Sequence, residues 1–245
     1  SYGTEKRAVL TDIIELTFPL TTDKPEILKP IKDDRLLELA YFAPQWVPLI
    51  KAHLNWEGFD LAYYYFIAHT KEMGEDEKRA ATALFTDLDP ADLADGAFDE
   101  KLFHEAYTVV GEKRFELFYK AARYIGSSNY HSRARRFADT ALGKIDEETI
   151  TEQIHSKRNK DAVCSLGLLP DKSDKALQRR YQLIQAFLKE SKQYGAQRQA
   201  SEKRVCEIAL LNLSRGAGYA DPMQLTWRME SQQVTDNAAY LQGIN

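Results

Sequence analysis

The sequence predicts an all-α fold, either an irregular multi-helical bundle or an armadillo- or HEAT-like array of about twelve helices. Three observations predict it. Apolar residues recur at helical spacing: Ala134, Phe137, Ala138, Ala141 and Leu142 fall at i, i+3, i+4, i+7 and i+8, the stripe of an amphipathic helix docked on a core. Strict apolar–polar alternation, the signal of a strand, never persists beyond a few residues. Helix punctuation also recurs: Asp89-Pro90 and Asp221-Pro222 place a capping Asp before a Pro at the first helical position.

In chain order, the pattern predicts helices over 4–16, 32–42, 45–54 and 59–72, with Asp23, Lys24 and Pro25 a looser start signal between the first two. Residues 59–72 carry "FDLAYYYFIAH", whose aromatics point all round a helix axis, so this helix is expected to be central and buried on several sides. Base stacking by those tyrosines is the alternative, but the basic neighbours it needs are missing. Helices follow over 76–86, 99–110 (Leu102, Phe103, Ala106, Val109, Val110), 112–125 (Phe115, Phe118, Tyr119, Ala122), 130–142, 147–157 and 159–166. A long helix, bent along its length, is predicted over 174–214, and a last one over 222–230. Gly111, Gly126, Gly143 and Gly167 each follow a periodic segment and are expected as left-handed C-terminal caps. One all-helical domain over 1–230 is expected, with a subdivision near 126–130. Residues 231–245 are expected to fray toward a missing remainder, since the chain lacks an initiator Met and reads as a fragment or processed product.

Composition is that of a globular chain: 44% hydrophobic and 29% charged over 245 residues, too apolar for global disorder. The longest apolar run, near 61–68, is far short of a membrane span. No signal peptide is legible. Cys164 and Cys206 make no disulfide framework and are expected to act as small hydrophobes in a reducing compartment. The net charge of −4 is uneven. Residues 1–125 hold 15 Lys and Arg against 23 Asp and Glu; residues 126–245 hold 18 against 14. The second half is therefore the candidate for a polyanion contact.

The sequence holds no glycine-rich phosphate loop, no nucleophile elbow and no His-Glu-x-x-His. Glu100 and His104, or His69 and Glu72, would each give two ligands from one helix face, short of the three or four a metal needs. No metal, cofactor or catalytic residue is assigned. Two basic clusters stand out. "SSNYHSRARRFAD" places His131, Arg133, Arg135 and Arg136 on the first turns of a helix, where free N–H groups and arginines make an anion site. The competing reading pairs these arginines with the acidic first half. "HSKRNKDAV" adds Lys157, Arg158 and Lys160 at a link between helices. With Arg198, these residues form the candidate anion or nucleic-acid surface.

A third stretch, "KESKQYGAQRQASEKRV" (189–205), lies inside the predicted long helix yet has almost no large apolar residue. Ser191 and Gly195 fall one turn apart and are expected to form a close-packing seam, or to mark a bend. Lys189, Lys192, Arg198 and Arg204 would then rim the contact and pair with carboxylates, chiefly of the acidic first half.

Five segments, "YFAPQWVPLIKAHLNWEGFDLAYYYFIAHTKE", "LADGAFDEKLFHEAYTVVGEKRFELFYKAARYI", "HSRARRFADTALGK", "KRNKDAVCSLGLLP" and "FLKESKQYGAQRQASEKRVCEIALLNLSRGAGYADPMQLTWRME", resemble bacterial MolR-like (molybdate-metabolism-regulator-like) proteins, which carry a domain of unknown function. The resemblance covers most of residues 36–230 in order. It implies a long, cytoplasmic, multidomain bacterial parent, in some members with a WGR module, and it brings no catalytic residue to any position here. The leading reading is a non-catalytic helical scaffold or interaction module, whose partners are other domains of the same protein or another protein, with no membrane contact. The second is a nucleic-acid- or nucleotide-binding module built on the basic second half, binding weakly. The third is an enzyme with an unrecognised site around "NYHSRARR".

Overall fold

A computed structural model describes residues 28–70, 83–126 and 131–242. Of the described residues 77% are helical and none is in a strand, so the all-α expectation holds. The chain folds as two compact units. One takes the described residues up to Thr86 together with Lys101–Arg135; the other takes Asp87–Glu100 and the described residues from Arg136 onward.

The first unit holds α1 (Asp33–Phe42), a 3-10 turn at Pro44–Trp46, α2 (Val47–Leu54), α3 (Phe59–Ala68), α5 (Glu100–Val110, from Lys101) and α6 (Glu112–Ala121). Its centre is α3. Phe59, Tyr63, Tyr65 and Phe66 are all at most 4% exposed, which makes the aromatic run core. Tyr41 and Tyr63 stack at 4.9 Å, and Phe118 meets Phe59 edge-on at 5.2 Å. Such ring pairs add to plain area burial. The phenol hydroxyls are also satisfied: Tyr65 donates to the Ala134 carbonyl at 3.0 Å and Tyr63 to that of Ala40 at 3.3 Å. Gly58 has φ +75°, and a Cβ there would sit 2.8 Å from the Val110 nitrogen, so both conformation and space demand glycine.

The second unit holds the short α4 (Pro90–Asp95), most of α7 (Ser132–Ala141), α8 (Glu147–Lys157), α9 (Lys160–Ser165), α10 (Asp174–Glu190), α11 (Ala196–Gly216) and α12 (Pro222–Gln242). Sequence caps act as expected: Asp89 accepts from Ala91 N–H, and Asp221 from Gln224 N–H. The axis of the unit is α11, packed on α9, α10 and the 3-10 turn Leu166–Leu168. Asn212 stitches it together. Its Oδ1 accepts from Phe98 N–H at 2.8 Å, and its Nδ2 donates to the carbonyls of Gly96 and Cys164, each at 3.0 Å.

Several boundaries move. The helix expected over 59–72 ends at Ala68; those expected over 4–16 and most of 76–86 lie outside the described residues. The last helix continues through Gln242, well past the end expected at 230, so the segment 231–242 is helical. The predicted bent helix 174–214 is two helices. α10 ends at Glu190, a 3-10 turn spans Ser191–Gln193, and Tyr194 and Gly195 are extended before α11 begins.

That break falls where a bend was the alternative to a seam. Ser191 is 2% exposed, but a Cβ on Gly195 would meet nothing within 4 Å. Gly195 is the N-cap of α11, with no side chain to accept from the first turn. A run poor in apolar residues gives a continuous helix nothing to bury there, so the chain stops and restarts. Installing the missing cap, Gly195→Asp, is expected to raise stability by roughly 0.5 kcal/mol, measured by urea unfolding.

Gly111, Gly126 and Gly143 have the expected positive φ. Gly167 does not. It lies in Leu166–Leu168, where a Cβ would be 2.4 Å from the Leu213 nitrogen and 2.5 Å from the Asn212 carbonyl carbon. The second unit has a close backbone contact at Gly167 against α11, and none at Gly195.

Candidate functional site

Four helix ends meet in the second unit around Arg158. Arg158 caps α8 in the left-handed region, φ 45°. Its Nε and Nη2 donate to the two carboxylate oxygens of Glu202 at 3.2 and 2.7 Å, Nη1 to Glu190 at 2.7 Å, and Nη2 also to the Phe187 carbonyl at 3.0 Å. The guanidinium lies 4.0 Å from the Phe187 ring centre. Arg198, one turn before Glu202 on α11, donates to the same carboxylate at 2.9 Å and covers Tyr194 at 3.6 Å. Glu202 is thus 1% exposed and clasped by two arginines. One residue before it, Ser201 Oγ is reached by Lys160 Nζ at 2.7 Å.

Burial alone would push the Glu202 carboxyl up. Hydrogen bonds from Arg158 and Arg198, and then their charges, outweigh it and hold the group below the usual value of 4.5. A carboxyl with a depressed folded value stabilises the fold above its unfolded value, and the contribution is lost as pH falls through the folded one. Above the ordinary glutamate range, parent protein is therefore expected to be more stable than Glu202→Gln. Below it the two curves should converge, as read from thermal melts across pH.

Of the residues singled out by sequence, Lys157, Arg158, Lys160 and Arg198 come to one place, and the arginines there are spent on carboxylates. Arg133 and Arg135 belong to the first unit. Arg133 is 8% exposed, and Arg135 lies 4.3 Å over the Tyr119 ring. His131 and Arg136 are half-buried. The caps of that cluster, residues 127–130, lie outside the described residues. Of the cations expected to rim residues 189–205, Arg204 pairs with Asp92 at 2.6 Å and Asp95 at 2.7 Å, both from the acidic first half. Arg198 instead pairs within its own helix.

Sequence reasoning missed the carboxylate side of this cluster. The spacing of Arg198 and Glu202, i and i+4, was the available signal; the approach of Arg158 was not legible. A second pairing was missed as well: Arg180, 1% exposed, donates to Glu147 at 2.8 and 3.0 Å and to the Asp171 carbonyl at 2.6 Å, while Arg179 donates to the same Glu147. Beside it an open groove of ≈790 Å³ runs along α8, lined by Glu147, Glu148, Thr151, Glu152, His155 and Ser156, with Arg179 on its other lip.

Neither cysteine joins a site. Both are buried and neither is in a disulfide, and burial pushes the Cys206 thiol up to about 12, which suppresses the thiolate that reactivity needs. Among the described residues, no group of three or more His, Cys, Asp or Glu is placed to hold a metal ion, and no helix is long and apolar enough to cross a membrane. Residues 1–229 match the model of a family of unknown function, DUF5724. No curated protein and no solved structure matches the chain.

Proposed function

The chain belongs to the DUF5724 family of unknown function, and on that premise we propose that it is a non-catalytic helical interaction module of a larger, cytoplasmic bacterial protein of the MolR-like type. The observation that carries this reading is the use made of its charged side chains. Arg158, Arg198, Glu190 and Glu202 close on one another, Arg179 and Arg180 on Glu147, and Arg204 on Asp92 and Asp95. These groups hold helices together and are not turned toward a substrate.

The exposed apolar surface supports the same reading. On α12, Leu225 and Met229 are fully buried, while Met223, Trp227 and Val234 are 59%, 62% and 69% exposed. At 100° per residue the two sets fall on opposite faces. A helix apolar on both sides is suited to a second contact, with another domain of the same protein or with a separate protein.

The test uses the full-length protein from its host. Met223→Asp with Trp227→Asp replaces exposed side chains, so the melting temperature should hold. The native assembly should elute at lower mass or, where the partner is another domain of the same chain, at larger hydrodynamic radius. An unchanged assembly, or a turnover that requires Arg158 or Arg198 in a variant of parental stability, contradicts the reading.

A further inference from the structure

We propose that the end of the second unit where α8, α9, α10 and α11 meet binds the phosphate backbone of a nucleic acid, without reading its sequence. This rests on the module reading only in treating the surface as one that binds and does not react.

The argument is local charge balance. In the cluster, Arg158 and Arg198 are matched by Glu190 and Glu202. Lys157, Lys160, Lys189 and Lys192 remain, all exposed. Lys160 is hydrogen-bonded to the neutral Ser201, and among the described residues the other three make no ion pair. Lys203, next along α11, lies 3.9 Å from Glu207, so that pair cancels. Asp161, at the start of α9, is a further carboxylate here and lowers the local excess by one charge. Lys157 and Lys189 lie in the last turns of α8 and α10 and offset about half a negative charge at each terminus. The start of α11 opposes this with the opposite sign. Its N-cap Gly195 is exposed and has open space where a side chain would stand. The chain as a whole carries −4, so any attraction for a polyanion comes from such a local excess.

The same residues favour phosphate over an acidic peptide. The planar fork of arginine grips carboxylate and phosphate alike, and both arginines here already grip internal glutamates, so the choice falls to the lysines, which bind phosphate as point charges. The groups left over are lysines, compact charges on flexible stems. These suit closely spaced phosphates contacted one by one, with no base edge read.

The experiment is fluorescence anisotropy of a labelled mixed-sequence duplex of about 20 base pairs, titrated with the chain at 50 and 200 mM salt. Four phosphate contacts predict affinity roughly a hundredfold weaker at the higher salt. Lys157→Glu, Lys189→Glu and Lys192→Glu together should reduce binding at least tenfold at 50 mM and flatten the salt dependence. Lys101→Glu, Lys113→Glu and Lys120→Glu change net charge equally in the first unit and should leave the salt dependence as in the parent. All six lysines are exposed, and melting temperatures verify that both triples fold. No binding at 50 mM overturns the proposal, as does equal loss in the two triples. Displacement of the duplex by polyglutamate at equal charge concentration also overturns it, and assigns the surface to an acidic polypeptide. These outcomes are independent of the assembly test on α12, so the two readings fail separately.

Discussion

Gly167→Ala is expected to destabilise the chain by about 3 kcal/mol or more, at the upper end for an overpacked site. The added Cβ would lie 2.4 Å from the Leu213 nitrogen, 2.5 Å from the Asn212 carbonyl carbon and 2.8 Å from the Asn212 oxygen. These are main-chain atoms inside a 21-residue helix, so no rotamer change relieves the clash. The turn Leu166–Leu168 must move off α11. It would carry with it the neighbouring Cys164 carbonyl, which accepts from Asn212. Gly216→Ala tests the same contact from the other side, since its Cβ would stand 2.6 Å from the Gly167 oxygen. For a chain of this size, the loss should lower the melting temperature by roughly 10 °C. A Gly167→Ala protein melting with the parent would show that the two segments are not in backbone contact.

Arg158→Met is expected to cost roughly 3 kcal/mol, because it leaves the buried Glu202 carboxylate with Arg198 alone. It also deprives Glu190 and the Phe187 carbonyl of their donor. Arg158→Lys should recover little of this. One ammonium on a flexible stem does not reproduce a fork that serves three acceptors 4.0 Å from the Phe187 ring centre. A lysine variant as stable as the parent in chemical denaturation would mean that charge alone, and not the fork, holds these helix ends.

What was legible in the sequence follows from what repeats locally. The stripes at 102–110 and 134–142 and the Asp-Pro starts at 89 and 221 report on one helix at a time, and these emerged within a residue or two of expectation. The run 189–205 was visible as an anomaly for the same reason. Its resolution was not, because a stretch without an apolar stripe is consistent with a seam, a solvated helix or a break, and only the approach of Arg158 from another helix decides among them. Gly167 was misread for a related cause. A glycine after a periodic segment signals a cap, and its alternative use, letting two backbones touch, depends on a helix that begins some thirty residues later. Asn212, a polar residue inside a helix, gave no hint that it would join segments more than a hundred residues apart. The basic clusters could be counted but not paired. The partners of Arg158, Arg198 and Arg204 lie 3 to 112 residues away, and only the separations of three and four have a period that can be read.

The central claim is that the charged cluster at Arg158 is an internal clamp. The most direct measurement is a double-mutant cycle on stability, comparing Arg158→Met, Glu202→Met and the two together in urea unfolding. A clamp predicts strong coupling, with the double variant losing well under the sum of the singles, by at least about 1 kcal/mol, because removing both charges leaves neither stranded. Additive losses, or an Arg158→Met protein as stable as the parent, would contradict the account and return the arginine to the set of groups free to meet a ligand.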